Sequence, residues 1–272
     1  MRLVNARYAD EAKFFWDERA NTLETQTTMP IQDHIEMGYS GTNGDPNMED
    51  LITKLKDVEY YPTLFEFVYG DKNITEERIQ NALAQFIRSI QSFDSKYDEG
   101  RNQVVVDQQD FPNFTAQENL GKSLFFNPPE GAPGLPPGGG GAGCQGCHRA
   151  PEFDIDPNSS NNGIVLNLSD PNTIDVTNTR APSLRDVFNQ SGELNGPLMH
   201  SAEFSTMQEV IDHYNDITVV NGNNNLDPRL MPAGQPQQLN LTTAEKEALI
   251  AFLKTLSGEN IYKDIKWSNP FI

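Results

Sequence analysis

Cysteine occurs only twice in the 272 residues, at Cys144 and Cys147, and histidine follows directly at 148. The stretch Cys144-Gln145-Gly146-Cys147-His148 therefore reads C-x-x-C-H, the attachment signature of c-type haem. The spacing suits that chemistry. Two thiols a short turn apart add to the two vinyl groups of one porphyrin, and the next histidine falls beneath the iron as its proximal nitrogen ligand. Three rival uses of the same residues are weaker. A zinc site needs about four nitrogen or sulfur ligands, and the remaining histidines, His34, His200 and His213, are scattered singly. A thioredoxin-like redox pair calls for a βαβ context, which the sequence does not show. A disulfide across two residues closes too small a loop to stabilise much.

The elements that must position this motif read mainly as helices. Thr115-Ala116-Gln117-Glu118 is a capping box, and the helix it opens carries Leu120, Leu124 and Phe125. Pro128 to Gly143, rich in Pro and Gly, reads as a flexible surface insertion directly before the motif. Helix, loop and C-x-x-C-H is the order at the start of many small cytochromes c. Beyond the motif, residues 151–180 are polar and should be irregular, and Pro182-Ser183-Leu184-Arg185-Asp186-Val187 suggests a helical turn. Ser205-Thr206-Met207-Gln208 reads as a further capping box, opening a helix with Val210, Ile211 and Tyr214. Residues 221–225 are an Asn-rich loop. Thr242-Thr243-Ala244-Glu245 caps a last helix lined by Ala248, Leu249, Phe252, Leu253 and Leu256, with Gly258 as its end signal.

Upstream, residues 1–40 read as a packed loop, with Trp16 in Phe14-Phe15-Trp16-Asp17-Glu18-Arg19-Ala20 as a core anchor. Asp45-Pro46 suggests an N-cap followed by proline at the first helical position, with a helix through Leu51, Leu55 and Val58. Pro62 should interrupt it before a short helix around Leu64–Tyr69. Thr75, followed by Glu76 and Glu77, caps a strong helix with an apolar stripe of Ile79, Leu83, Phe86, Ile87 and Ile90. Residues 93–113 read as connecting chain. With no repeats and little strand signal, the class is mainly α.

Only 36% of the chain is hydrophobic, and it holds 20 glycines and 18 prolines, so the cores should be modest and a haem would supply much of the apolar centre. The net charge of -19 argues against nucleic acid as a partner, because phosphates would repel it. It suits either a basic soluble partner or simple solubility. No apolar run of about 18 residues is present, so no transmembrane helix is expected. Covalent haem attachment takes place outside the cytoplasm, which places the mature protein in the periplasm. Met1-Arg2-Leu3-Val4-Asn5-Ala6-Arg7 lacks the apolar region of an export signal. The expectation is that Met1 is not the natural start and that a signal peptide and a second C-x-x-C-H lie upstream.

The order and spacing of several segments resemble bacterial di-haem cytochrome c peroxidases and their MauG-like relatives, from about Leu3 to Gly258. The segments are Phe15 to Ala20, Leu23 to Gln26, Pro30, Glu36-Met37, Ala82 to Arg88, the C-x-x-C-H, Ala181 to Arg185, Met199-His200 and Ala248 to Leu256. The resemblance implies two cytochrome c-like haem domains: an N-terminal haem that reacts with peroxide, and a C-terminal haem that stores and passes electrons. Residues 1–110 would be a remnant of the N-terminal haem domain with the inter-domain segment. Residues 111–272 would be the C-terminal cytochrome c-like haem domain, with long irregular loops. Trp16 would relay electrons between haems. Gln26 and Glu36 would belong to the loop over the peroxide-reacting iron, where a carboxylate can do general acid–base work; as plain sequence they read as exposed polar residues. A calcium ion is implied near Asn195 and Pro197, although the family's asparagine ligand would lie before Met1. Ser201-Ala202 stands where the family has Asp-Gly, which leaves the local turn open.

Two residues compete for the far side of the iron. Tyr214 falls at the family position that holds methionine in peroxidases and tyrosine in MauG-like enzymes, and is preferred. Met231, in Leu230-Met231-Pro232-Ala233, resembles the methionine segment of small cytochromes c. Met199 and Met207 are less well placed. A thioether raises the potential, while a phenolate stabilises ferric iron. The resulting expectation is a haem c oxidoreductase, the electron-transfer part of a peroxidase reducing hydrogen peroxide with electrons from a small redox protein, either a cytochrome c or a cupredoxin. The isolated chain would be inactive without the N-terminal haem. The alternatives are a mono-haem electron carrier and a MauG-like enzyme oxidising a protein substrate. A homodimer is compatible with the sequence.

Overall fold

A computed structural model describes residues 3–10, 12–130, 140–155 and 157–270. The chain divides into two compact units, one of residues 12–89 and one of residues 1–11 with 90–272. The sequence expectation put the boundary at 110. It falls earlier because residues 93–113 are not free connecting chain: they belong to the second unit, into whose core Tyr97 and Phe111 pack.

The first unit holds four helices: α1 (Leu23–Thr28), α2 (Met48–Lys56), α3 (Tyr60–Tyr69) and α4 (Glu76–Ser89). Helix α2 starts two residues later than Asp45-Pro46 suggested. Its N-cap is Asn47, in a capping box with Asp50, whereas the Asp45 carboxylate is taken by His34 and Ser40 at 2.7 Å each. Pro62 sits inside the first turn of α3 rather than ending a helix, where its missing N–H costs nothing. Thr75 does cap α4, accepting from Arg78 N–H at 3.3 Å. The small core consists of Ile31, Met48, Ile52, Phe65, Ile74 and Ile79. Leu83 and Phe86 of the expected α4 stripe are exposed instead. Helices α1 and α4 are joined by polar side chains: Glu76 accepts from Thr28 and Gln32, and Gln80 donates to Thr28.

The second unit contains α5 (Lys96–Arg101), α6 (Ala116–Phe126), α7 (Met207–Asn215), α8 (Thr243–Lys254) and α9 (Asn260–Lys263). A two-stranded antiparallel ladder pairs β1 (His148–Arg149) with β2 (Asp154–Ile155). Helix α5 went unforeseen. It is fixed by a Ser95/Asp98 capping box, and the same Asp98 carboxylate receives both ends of the fully buried Arg185 guanidinium at 2.6 and 2.8 Å. Arg185 also donates to the Pro151 carbonyl, which ties α5 to the turn behind the C-x-x-C-H. That use of Arg185 leaves residues 182–187 as extended chain and a turn, with no helical turn.

The boxes Thr115/Glu118 and Thr242/Glu245 open α6 and α8 as read from the sequence. In α7 the cap is Thr206 with Glu209, one residue later than expected. Helices α6 and α8 pack closely. A Cβ on Gly121 would lie 1.8 Å from the Ala248 carbonyl oxygen, so only glycine permits this crossing. Around it Tyr97, Phe111, Phe114, Phe125, Phe126, Phe153 and Phe252 form one aromatic core. Helix α8 ends at Lys254, before Gly258. Gly258 is needed for another reason: a Cβ there would fall 2.3 Å from Ser92 Oγ. Residues 151–180 are irregular apart from β2 and isolated bridges, and residues 131–139 of the Pro/Gly-rich segment lie outside the described residues.

Candidate functional site

Helix α6 delivers the chain to the motif. Past the insertion, Ala142 N–H bonds the Leu124 carbonyl at 2.7 Å and Gly143 N–H bonds that of Asn127 at 2.9 Å, which seats the loop on the last turn of α6. Gly143 takes φ 67, a left-handed conformation suited to glycine. The chain then makes the 3-10 turn Cys144–Gly146, closed by Cys147 N–H on the Cys144 carbonyl at 3.2 Å. This places both cysteines on one short turn and starts β1 at His148.

Cys144, Cys147, His148 and Tyr214 are all part-accessible, yet three of them titrate as strongly desolvated groups. Burial pushes the Cys144 thiol up to about 12, with Cys147 adding to the effect. It pulls His148 down to about 4, against the nearby carbonyls of Phe153 and Pro182. It also raises the Tyr214 hydroxyl well above the usual phenol range, opposed by a hydrogen bond from Asn162 and reinforced by Cys147, Cys144 and Asp227. Side chains that touch solvent but sit in low dielectric line a crevice. In that crevice the His148 Nδ1 is buried with no hydrogen-bond partner among the described residues. An orphaned imidazole nitrogen beside two thiols fits a covalently held haem, with His148 as iron ligand and Cys144 and Cys147 as thioether anchors.

Tyr214 belongs to α7, whose buried face includes Met207 and Ile211. Its Oη accepts from Asn162 Nδ2 at 3.1 Å, and the same amide lies 3.5 Å from Met199 Sδ. The thiols of Cys147 and Cys144 add to the raised pKa of the hydroxyl, so Tyr214 lies within electrostatic reach of the motif. Met231 is half-buried where the 3-10 turns Pro228–Leu230 and Pro232–Gly234 meet. Sequence reading passed over Asn162, Asp227 and Arg229. Asn162 carries no local signal within its Asn-rich run. Asp227-Pro228 does, being the cap-and-proline pattern that the sequence showed at 45–46.

The other expected residues lie in different surroundings. Trp16, Gln26 and Glu36 belong to the 12–89 unit. Trp16 is half-buried rather than a core anchor, at the tip of a loop closed by the Phe14–Ala20 bridge. Gln26 is buried in α1, contrary to its reading as an exposed residue, and its Oε1 has no partner among the described residues. Glu36 is exposed, in a turn whose N–H groups at 35 and 36 bond the Asp33 carboxylate. The Asn195 amide is spent inside the fold, donating to the Asp186 carbonyl and to Tyr262 Oη at 2.8 and 2.7 Å, and Pro197 is exposed. Among the described residues no group of three or more His, Cys, Asp or Glu could hold a metal ion. No helix of the described residues is long and apolar enough to cross a membrane.

Comparison with known proteins agrees with the geometry. Residues 1–103 match the family described as di-haem cytochrome c peroxidase. The methylamine utilization protein MauG of Methylophilus methylotrophus is 27% identical over 249 residues, covering 89% of this chain and 63% of that protein. Cytochrome-c peroxidase IdrP1 of Pseudomonas sp. (strain SCT) is 25% identical, covering 94% of this chain and 66% of its own length. Cytochrome c551 peroxidase of Nitrosomonas europaea is 24% identical, over 90% and 61%. The chain thus spans between three fifths and two thirds of these relatives. The crystal structure of a MauG-like protein associated with microbial copper homeostasis shares the fold, with TM-score 0.64 and 24% identity over 94% of this chain and 74% of that one. The family model covers the first unit, and the relatives extend the likeness through the C-x-x-C-H and its crevice. By sequence, fold and motif together, the chain is similar to the di-haem cytochrome c peroxidases and MauG-like proteins.

Proposed function

We propose that this chain is the electron-transferring part of a haem c oxidoreductase that reduces hydrogen peroxide with electrons from a small redox protein. The observation that carries the reading is the C-x-x-C-H turn, which sets both cysteines on one short turn beside a His148 whose buried Nδ1 has no partner among the described residues, with Tyr214 held by Asn162 within electrostatic reach. Haem bound there supplies reversible one-electron chemistry. The chain's own residues supply the rest. Cys144 and Cys147 would anchor the ring, His148 would offer its imidazole nitrogen to the iron, and Tyr214, held by Asn162, would offer its oxygen as a further ligand. Cys144 packs against the aromatic core, which gives the attachment turn an apolar backing.

Residues 12–89 fit a role as part of the peroxide-reacting domain. Leu64, Phe67 and Val68 of α3 remain on their surface, and apolar groups left exposed together on one helix mark a surface made to be covered. There Glu36 can exchange protons with solvent, Gln26 offers a buried acceptor, and Trp16 is a polarisable ring for electron relay. The net charge of -19 suits a basic donor, either a cytochrome c or a cupredoxin, and thioether attachment suits the periplasm. Tyr214 supports a second reading: tyrosine ligation favours an oxidised iron, and with it a MauG-like enzyme acting on a protein substrate.

Maturation in a periplasm tests the first claim: mass spectrometry should show one haem adduct, abolished by Cys144→Ala/Cys147→Ala. Tyr214→Phe should then change the ferric spectrum and raise the midpoint potential, with Met231→Leu leaving both nearly as they were. The reverse pattern, together with loss of a sulfur-to-iron band in Met231→Leu, would make the haem His/Met ligated and remove the support for the second reading.

A further inference from the structure

The segment Leu226-Asp227-Pro228-Arg229 reaches the haem-attachment turn from 83 residues away. Asp227 is almost wholly buried, and the Arg229 side chain is one third exposed. The two side chains meet as a fork. Asp227 Oδ1 accepts from Arg229 Nε at 2.8 Å, and Oδ2 accepts from Nη2 at 2.7 Å. Asp227 Oδ2 also accepts from Ser160 N–H at 2.8 Å, and Asp227 N–H donates to the Asn161 carbonyl at 2.8 Å. The remaining guanidinium nitrogen, Nη1, donates to the Gly146 carbonyl at 2.5 Å. Gly146 stands between the two cysteines, so this bond fixes the peptide plane that leads into Cys147 and His148. The Arg229 stem lies against the same residue, since a Cβ on Gly146 would sit 3.7 Å from Arg229 Cδ.

A staple for the fold would need only the hydrogen bonds. A bidentate ion pair at this place has a second consequence. Ferric and ferrous iron differ by one unit of charge, and a fixed charge nearby in low dielectric weighs on that difference. The guanidinium favours the ferrous state and the carboxylate favours the ferric state. Held as a pair they nearly cancel, and each alone would not.

We propose that Asp227 and Arg229 form a positioning clamp on the haem-attachment turn, and that their paired charges set the ferric–ferrous balance of the iron held by His148. This rests on the reading of Cys144, Cys147 and His148 as a haem site.

The test uses the full chain matured with covalent haem, counted by mass spectrometry and titrated by spectroelectrochemistry. Arg229→Gln leaves the carboxylate alone and should move the ferric–ferrous equilibrium about tenfold towards ferric. Asp227→Asn leaves the guanidinium alone and should move it about tenfold towards ferrous. The double variant, neutral like the parent pair, should return to within a factor of about 3 of the parent. A purely structural role predicts shifts of one sign, because either single change loosens the same turn. Shifts of the same sign, or no shift in haem-loaded protein, overturn the clamp while leaving the haem site standing. Absence of any haem adduct on the parent chain overturns both. Should a neutral variant fail to mature, Arg229→Lys and Asp227→Glu decide instead. They keep the charges and give up the fork geometry, so an equilibrium within a factor of about 3 of the parent supports the pair. A tenfold shift in either overturns it.

Discussion

The two units solve the problem of a sparse hydrophobic composition in different ways. The unit around the C-x-x-C-H concentrates aromatic rings: Tyr97, Phe125, Phe153 and Phe252 are each at most 1% exposed. It seals that core with paired buried charges, as in Arg185 with Asp98 and Lys122 on the carbonyls of Asp107 and Gln109. The 12–89 unit has six buried apolar residues in its core and keeps its ion pairs near solvent, as in Glu24 with Arg88 at 2.5 Å, both about 30% exposed. A buried pair is costly to break, whereas a surface pair contributes little. Removing one partner from each should therefore separate the units by stability. Trp16 and Trp267 are the only two tryptophans, one in each unit, so Trp16→Phe and Trp267→Phe backgrounds let denaturation curves report on each unit alone.

The largest effect expected is from Arg185→Met. It leaves Asp98 buried without its partner and should cost about 3–5 kcal/mol. Arg88→Ala in the other unit should cost only about 0–1 kcal/mol. Equal losses would show that the two units share one kind of interior.

A smaller effect comes from pH. Burial alone would raise the Asp227 pKa, but the Arg229 guanidinium and the N–H groups of Ser160 and Arg229 outweigh it and hold the carboxyl below its usual value of 3.8. A carboxyl with a depressed folded-state pKa adds stability above its unfolded pKa, and that contribution disappears as the pH falls through the folded value. Asp227→Asn should therefore be less stable than the parent at neutral pH, and the gap should close below about pH 3.8. A gap that stays constant between pH 5 and the lowest pH at which the protein stays folded would mean that Asp227 does not hold its charge more tightly in the fold.

Next comes Thr242→Ala, which removes the hydroxyl that accepts Glu245 N–H at 3.3 Å. Loss of a single N-cap should cost about 1 kcal/mol, read at the same transition as Arg185→Met. It should leave the 12–89 transition in place.

What could be read from the sequence was local. The C-x-x-C-H, the Thr115/Glu118 and Thr242/Glu245 boxes and the apolar face of α8 all lie within a few residues of one another, and each stood in the structure where the sequence put it. Helix α5 was missed because it has almost no apolar stripe; Ser95 and Asp98 make it, and Asp98 is also the partner of Arg185, 87 residues on. Arg229 could not be found because its target, the Gly146 carbonyl, carries no side-chain signal. Leu83 and Phe86 misled for the opposite reason. Their spacing is that of a buried stripe, but periodicity states only which residues share a face, not whether anything covers it.

The smallest effect is the sharpest test of that last point. Phe67 of α3 is 88% exposed, and Leu64 and Val68 beside it are more than half exposed. A phenylalanine of a core loses several kcal/mol on truncation because a cavity is left behind. One that faces water leaves no cavity and gives up no contacts. Phe67→Ser should therefore shift the 12–89 transition by no more than about 0.5 kcal/mol in either direction. Helix preference adds nothing to the difference, since serine and phenylalanine rank together in helices. A loss of about 3 kcal/mol or more would mean that Phe67 is covered within the chain as it exists in solution, and the contrast between a sealed unit and an open one would fail at its most exposed residue.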